Sequence, residues 1–239
     1  MPTDTFKTQQ DLDRISEWTV ENLSLLNEKK CNYMVFSRSQ TNISTRLTVN
    51  QKTLERVSST DMLGMKISND LSWDRHCQSI CQKAYSRIGM LTKLKYAGVG
   101  VEDLVDIYML MIRSITEYCS VVFHSSLTLK QRQKLEMIQK ICLRVILGDM
   151  YVSYEAALEM TGLDTLDSRR QQRCITFSLR ALKFPIGQRL FPVNQSENKK
   201  SVRQREKFCV NFARTEDYKT SAVPFCQRLL NEHFKAKKS

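Results

Sequence analysis

The chain has 239 residues, with 37 Lys and Arg against 25 Asp and Glu, so its net charge at pH 7 is +12. Seven Gly and four Pro are too few for a sandwich or barrel, which needs a turn about every 8–12 residues. The 41% of hydrophobic residues argues against wholesale disorder. The longest strictly apolar run, residues 107–112, is far shorter than the roughly 20 residues that span a bilayer, and the N-terminus has no apolar stretch typical of a signal peptide. The composition predicts a basic, mainly helical, intracellular protein without a membrane partner.

Residues 1–70 are predicted to combine one helix with a small antiparallel sheet. Apolar residues at helical spacing predict the helix over residues 8–25. Short apolar runs then predict three or four strands, within residues 33–36, 47–49, 53–57 and 62–67. A hairpin is predicted at Asn50-Gln51, between the second and third of these runs.

Residues 71–150 are predicted to form a bundle of three helices. Ser72 caps the first, which runs to about residue 95 and ends at the glycines of residues 98–100. Acidic residues 102 and 103 suit the positive end of the second helix, and Thr128 caps the third. The predicted buried stripes of the three helices are Cys77, Ile80, Ala84, Ile88 and Leu91; Leu104, Ile107, Tyr108, Met111 and Ile115; and Leu135, Ile138, Cys142 and Val145.

Residues 151–239 are predicted to be helical at both ends of an irregular stretch. Two connector helices, residues 153–160 and 165–183, fill residues 151–184, and Phe184-Pro185 ends the second. The periodicity is lost from 185 to 222, after which Pro224 suits the first turn of a final helix, so residues 185–239 form a basic C-terminal region. The fold class predicted for the whole chain is α+β, mostly α.

The eight cysteines form no C-x-x-C pair, and most lie in apolar, periodic stretches. We therefore expect reduced core thiols. The nearest approach to a zinc site is His76 with Cys77 and Cys81, but two ligands one helical turn apart need two more from elsewhere. Core packing is favoured there, and no metal ligand is predicted.

Sequence motifs of common enzyme classes are absent, namely the phosphate loop, the dinucleotide-binding glycines, the nucleophile elbow and the zinc-protease helix. Adjacent acidic pairs, the simplest magnesium site for phosphoryl transfer, occur only at Glu102-Asp103 and Glu216-Asp217. Neither pair follows a buried strand that could hold two ions in register. No catalytic centre is predicted.

The helix predicted after Ser72 carries a one-sided row of cations. At roughly 100° per residue, four of them fall within an arc of about 120°: Arg75, Lys83, Arg87 and Lys93. Such a row can follow the phosphates of a nucleic acid, with energy from counterion release. A solvated helix face is the alternative, and the net charge of +12 favours nucleic acid. The rings of this helix, Tyr85 and Tyr96, do not predict base stacking.

Four short motifs follow one another along residues 11–183. They are Asp11-Leu12-Asp13-Arg14-Ile15 with Trp18; Leu26-Asn27-Glu28-Lys29-Lys30-Cys31 with Tyr33-Met34-Val35-Phe36-Ser37; Met62-Leu63-Gly64-Met65 with Leu71-Ser72-Trp73 and His76; and Lys134-Leu135-Glu136 with Gln139, Gly162-Leu163, Leu166 and Arg169-Arg170. In this order they resemble the reverse transcriptase of non-LTR retrotransposons, closest to the jockey-like group. That family is an RNA-directed DNA polymerase, a nucleotidyltransferase of a transposable element.

The resemblance implies a fragment of such an enzyme. The family's catalytic aspartates lie in an aromatic-Ala-Asp-Asp hairpin upstream of the first motif, and residue 1 lies downstream of it. The expected parts are the end of the palm (1–70), the thumb (71–150) and the connector (151–184), which hold a primer–template duplex of RNA and DNA without catalysing. Magnesium is expected for the full-length enzyme and no cofactor for this chain. The alternative is a helical protein-interaction or structural module, or an adopted host protein, whose basic face meets an acidic partner.

Three positions take roles from the resemblance. Lys30 looks like the palm lysine proposed to protonate the departing pyrophosphate, with a solvated charge at a helix-to-strand turn as the alternative. Leu63-Gly64 resembles the primer grip, where a glycine lets the backbone approach the primer phosphates; an ordinary strand glycine is the alternative. Lys66, which follows, joins Leu63, Gly64 and the cation row as an expected nucleic-acid contact.

Arg170 is predicted to lie on the apolar side of its helix. A buried arginine needs a carboxylate, carbonyl groups or a phosphate. We expect a structural ion pair with an acid such as Glu155 or Glu159, and phosphate binding is the alternative.

Overall fold

A computed structural model of the protein describes residues 2–24, 26–36, 46–194 and 206–237. The fold is α+β and mostly helical, as predicted, with the paired strands between residues 32 and 68. The chain divides into two compact units, Met1–His76 and Cys77–Ser239. No helix among the described residues is long and apolar enough to cross a membrane.

A helix and three pairs of short strands lie in the described residues of the first unit. Helix α1 spans Pro2–Glu21, so it starts earlier than predicted and ends before residue 25, which lies outside the described residues. The strands are β1 (Asn32–Tyr33), β2 (Thr48–Val49), β3 (Lys52–Thr53), β4 (Glu55–Arg56), β5 (Ser59–Met62) and β6 (Met65–Ser68). The pairs β2–β3 and β5–β6 are antiparallel, whereas β1 and β4 pair in parallel. Leu47, Val49 and Leu54 form the core of this unit, against which Leu12 of α1 packs.

Two tight turns decide the strand pattern. Asn50 and Gln51, with φ of 49° and 67°, connect β2 to β3 and confirm the predicted hairpin. Leu63 and Gly64, with φ of 48° and 80°, connect β5 to β6 in the same way. The prediction of one strand over residues 62–67 with a strand glycine is therefore wrong. Two consecutive residues with positive φ match the twist of a hairpin, and glycine takes that conformation at the lowest cost.

The remaining elements are helical. They are α2 (Asp74–Tyr96), α3 (Val101–Tyr108), a π-helical turn (Met109–Arg113), α4 (Ser114–Glu117), α5 (Ser120–Phe123), α6 (Leu129–Leu147), α7 (Tyr154–Thr161), α8 (Leu166–Ala181), α9 (Pro185–Leu190), α10 (Glu216–Lys219) and α11 (Ala222–Ala236). Three predicted helix starts are confirmed by their caps. The Thr128 hydroxyl accepts from the backbone N–H of Gln131, whose side chain accepts in return from the N–H of Thr128. Ser153 and Thr165 cap α7 and α8 with their hydroxyl groups.

The predicted second helix is interrupted by the π-helical turn. Its fully buried side chains recur every four residues: Leu104, Tyr108, Ile112 and Thr116. In an α-helix this repeat drifts by about 40° per step, and the extra residue of a π turn returns it to the buried side. The predicted stripe is thus right at Leu104 and Tyr108 but wrong at Ile107, Met111 and Ile115, which are half-buried.

Several predictions for the C-terminal region are corrected. Helices α9 and α10 lie within the segment predicted to be irregular, of which residues 195–205 lie outside the described residues. Pro185 begins α9, whereas Pro224 is the third residue of α11 and so lies in its first turn, as predicted. Helix α11 packs on α8 around a core formed by Cys174, Phe191, Phe208, Cys226, Leu229 and Leu230.

The cysteines follow the expected pattern only in part. All eight are free thiols, of which four are buried: Cys77, Cys142, Cys174 and Cys226. Cys209, in contrast, is exposed, so the expectation of core thiols fails there.

Candidate nucleic-acid interface

Helix α2 separates an apolar stripe from a cationic face. The predicted stripe is confirmed, since its five side chains are all buried: Cys77, Ile80, Ala84, Ile88 and Leu91. The four predicted cations are all exposed: Arg75, Lys83, Arg87 and Lys93. At roughly 100° per residue, the centre of the cation row lies about 120° around the helix from the centre of the stripe.

The four cations differ in what holds them. Arg75 Nη1 donates to Ser59 Oγ at 2.6 Å, which ties its guanidinium to β5 in the first unit. Lys83, Arg87 and Lys93, in the second unit, form no ion pair with any residue that the structure describes. The ten residues from Lys83 to Lys93 rise about 15 Å along the helix. Since duplex DNA carries one charge per about 1.7 Å, three cations over that length can meet several phosphates.

The predicted contacts of the first unit lie on the β5–β6 hairpin and before β1. Leu63 and Gly64 form the hairpin tip, with the Leu63 side chain 81% exposed. Lys66 Nζ lies 2.9 Å from Asp61 Oδ1 across the hairpin, so its charge already has a partner. Lys30 is exposed at the last residue of a 3-10 turn that precedes β1, the position described by its solvated-charge alternative.

His76 has a structural role. Its Nδ1 accepts a hydrogen bond from the backbone N–H of Lys66 at 3.3 Å, and the ring meets Trp73 edge-on at 5.8 Å between centroids. These contacts fasten the start of α2 to β6, which explains the Trp73 and His76 positions of the third motif. Among the described residues, no group of three or more His, Cys, Asp or Glu side chains is placed to hold a metal ion.

Glu136 of the fourth motif holds the start of α8. Its carboxylate accepts from the backbone N–H groups of Leu166 at 3.0 Å and Asp167 at 3.2 Å, and also from the Tyr154 hydroxyl. An acid at a helix N-terminus satisfies amides that have no partner within the helix. Burial and the bond to Glu136 raise the pKa of Tyr154 well above its usual value, so the phenol stays protonated as a donor.

Gln139 continues this network within the core. Its side chain is fully buried, donates to the Tyr154 hydroxyl at 3.0 Å and to the Asp164 carbonyl at 2.9 Å, and accepts from Tyr108 at 2.5 Å. Each polar atom of the amide thus has a partner, as a buried amide requires. The Gln139 position of the fourth motif is therefore explained by its hydrogen bonds to Tyr108 of α3, Tyr154 of α7 and the Asp164 carbonyl before α8.

Arg170 is fully buried, as predicted, but its partner differs from the prediction. Its Nη2 lies 3.5 Å from Asp167 Oδ1, one turn earlier on α8, and its Nε donates to His124 Nδ1 at 3.4 Å. Glu155 and Glu159 are exposed on α7. The structural ion pair is confirmed in kind and corrected in partner, because a carboxylate three residues away on the same helix needs no second element to position it.

The sequence analysis did not predict the role of Glu117, which forms ion pairs with three arginines. The Glu117 side chain is buried, and its carboxylate lies 2.6 Å from Arg169 Nε, 3.1 Å from Arg173 Nη1 and 3.9 Å from Arg113 Nε. Only Arg113 is one helical turn away from it. Because the other two lie more than fifty positions further along the chain, no local signal pointed to this cluster.

The geometry sorts the predicted site residues into two groups. Lys83, Arg87 and Lys93 stay exposed and unpaired within the described part of the chain, whereas Lys66 and Arg170 are matched by carboxylates.

No protein-family model, curated protein or solved structure matches the chain. The function is therefore argued from the residues and their placement.

Proposed function

We propose that this chain binds a nucleic-acid duplex through its phosphate backbone, as the thumb-side part of the RNA-directed DNA polymerase of a non-LTR mobile element. The observation that carries the proposal is the one-sided, exposed row of Lys83, Arg87 and Lys93 on α2, none of which pairs with another described residue. The order of the four sequence motifs supplies the polymerase assignment. The neighbouring side of the same helix is buried, so the row faces away from the core.

Backbone binding agrees with the kind of side chain on this face. Lysine and arginine neutralise phosphates and release counterions, a contribution that does not depend on base sequence. The 239 residues contain no adjacent pair of aspartates that could hold two magnesium ions, so the proposed contribution is duplex binding and the polymerisation step is left to other residues of the enzyme. In that complete enzyme, Lys30 would act on the pyrophosphate side.

The test is the salt dependence of binding to an RNA–DNA hybrid of about 20 base pairs, measured by fluorescence anisotropy between about 50 and 200 mM salt. Wild-type protein is expected to bind with a steep negative slope of log affinity against log salt. The triple variant Lys83→Ala, Arg87→Ala, Lys93→Ala should lose about 0.9 units of slope for each phosphate contact, or between two and three units in all.

A charge-matched control separates the row from general basicity. The variant Lys130→Ala, Lys183→Ala, Arg189→Ala also removes two lysines and one arginine from exposed positions, and it should keep the wild-type slope. Equal slopes for the two triple variants, or a wild-type affinity independent of salt, would refute the proposal. Polyglutamate that displaced the duplex at equal charge concentration would instead favour an acidic protein partner.

A further inference from the structure

The cluster around Glu117 has an unusual balance of charge. Three guanidinium groups, of Arg113, Arg169 and Arg173, converge on this one buried carboxylate at the end of α4. We name these three residues the arginine triad. Asp164, which is exposed, is the other carboxylate that acts on Arg169. With both carboxylates counted, the triad keeps at least one positive charge unmatched.

The pKa values of two members of the triad shift in opposite directions, since the hydrogen bond to Glu117 raises that of Arg169. The pKa of Arg113 is lowered, first by burial and then by the neighbouring Arg169, and Glu117 offsets only part of this. Glu117 lies among these arginines, but it supplies one negative charge against three positive charges. One ion pair between a carboxylate of α4 and an arginine of α8 is enough to join the two helices, so the other two arginines of the triad are not needed for that role.

The triad can be reached from solvent. The Arg173 side chain is 52% exposed, that of Arg169 29%, and that of Arg113 16%. Among the described residues, Arg173 uses only Nη1 on Glu117, so its other two nitrogens can donate to a ligand. Planar guanidinium groups suit oxyanions because two parallel N–H groups match two oxygens, and Glu117 already fixes the position of these groups.

We propose that the arginine triad binds an oxyanion of the phosphate class, with Glu117 as the residue that positions the three guanidinium groups. A phosphodiester, with one negative charge, matches the unmatched positive charge. The ligand is either a phosphate of a bound nucleic-acid strand, which rests on the function proposed above, or a free phosphate ion, which does not. The experiment has one arm for each source.

The first arm uses inorganic phosphate and the melting temperature of the full chain, with sodium chloride of equal ionic strength as the reference. Wild-type protein should melt about 3 °C or more higher in phosphate at roughly ten times the dissociation constant. Arg173→Ala should lose this difference in melting temperature. Arg173→Lys keeps the positive charge but not the planar guanidinium group with its parallel N–H donors, so it should keep only part of the difference. Arg180→Ala, an exposed arginine two turns further along α8, is the matched control and should keep it in full.

The second arm measures the salt slope of duplex binding for the same variants. Arg173→Ala should lower the slope by about 0.9, the value of one phosphate contact, and Arg180→Ala should leave it unchanged. Equal effects of the two variants in both arms, or no phosphate-specific stabilisation of the wild type, would overturn the site. Loss in the first arm alone would assign the site to free phosphate.

The two proposals can fail separately. The α2 triple variant keeps the arginine triad, so it should retain the full phosphate-dependent rise in melting temperature. A wild type that binds no duplex but shows a rise abolished by Arg173→Ala would refute the proposed function and leave the triad as an anion site. A duplex affinity that depends on α2 but not on Arg173, together with no phosphate-dependent rise in the wild-type melting temperature, would support the proposed function and refute the triad as an anion site.

Discussion

Two helices of the second unit carry their cations in opposite ways. Lys83, Arg87 and Lys93 of α2 lie in water without an ion pair to any described residue. Arg169 and Arg170 of α8 lie against the carboxylates of Glu117 and Asp167, and Arg170 is fully buried. Both sets are positively charged side chains, and their surroundings differ.

The difference follows from the cost of removing a charge from water. A buried charge without a partner is strongly unfavourable, so the arginines of α8 are placed beside carboxylates and hold helices together. An exposed cation costs little to leave unpaired, and it remains available to an anion from outside. A cation that lies beside a buried carboxylate therefore contributes to the fold, whereas an exposed cation without a carboxylate partner contributes little to it.

The largest effect is expected at Glu117. Glu117→Ala leaves three arginines without their shared carboxylate and should lower the free energy of unfolding by about 2–3 kcal/mol, less than for a wholly buried pair because the arginines can reach water. Urea unfolding measures this loss. Glu159→Ala removes an exposed acid of α7 and should stay within about 0.5 kcal/mol of wild type. A loss at Glu117 no larger than this control would mean that the α8 arginines do not depend on their carboxylate.

The next effect depends on pH and on His124, which lies against Arg170. Burial, then Arg170 and also Arg132 lower the pKa of His124 from 6.5 to about 4, although Asp167 acts in the opposite direction. Above pH 6.5 the histidine is neutral in both the folded and the unfolded chain. Between pH 6.5 and pH 4 only the unfolded chain binds the proton, so the free energy of unfolding decreases as the pH is lowered. Near pH 4.5 this group alone should have removed about 2 kcal/mol.

The measurement is urea unfolding at several pH values for wild type and His124→Asn. The asparagine variant lacks the titrating ring, so its stability should fall less between pH 7 and about pH 4.5, whatever its stability at neutral pH. Parallel pH profiles would show that His124 accepts its proton freely beside Arg170, contrary to the buried-charge argument.

A smaller effect is expected at the edge of the α8 cluster. Arg173 is half-exposed, so Arg173→Ala should cost only about 0.5–1 kcal/mol in urea unfolding, as exposed ion pairs do. This modest loss places Arg173 between the buried Arg170 and the free cations of α2. A loss as large as that of Glu117→Ala would assign Arg173 wholly to the fold and would weaken its proposed role at an anion.

Local signals in the sequence predicted local structure well. The Thr128 cap, the helix starts at Ser153 and Thr165, the buried stripe of α2 and the Asn50-Gln51 hairpin depend on residues a few positions apart, and each is confirmed. The exposure of the cation row follows from the same helical period. Features set within one or two turns of the chain are thus the ones that a single sequence specifies.

Features set by distant residues could not be predicted. Glu117 meets Arg169 across more than fifty positions, and Gln139 meets Tyr108 across thirty-one. The π-helical turn follows from burial against neighbouring helices, and no residue type in the sequence predicts it.

The Leu63-Gly64 turn is a local feature that the sequence did not predict. An apolar leucine at a turn gives the same sequence pattern as a strand, and the positive φ of Leu63 in the structure shows that the chain reverses there.

The smallest effect on stability is expected on α2, where the proposed function predicts the largest effect on binding. Since Lys83, Arg87 and Lys93 are exposed and unpaired among the described residues, replacing all three with alanine should change the free energy of unfolding by no more than about 0.5 kcal/mol. Alanine also favours the helix, which works against any loss. Urea unfolding of the same preparations used for duplex binding gives both numbers. A loss above about 1 kcal/mol would mean that this row supports the fold as the α8 arginines do.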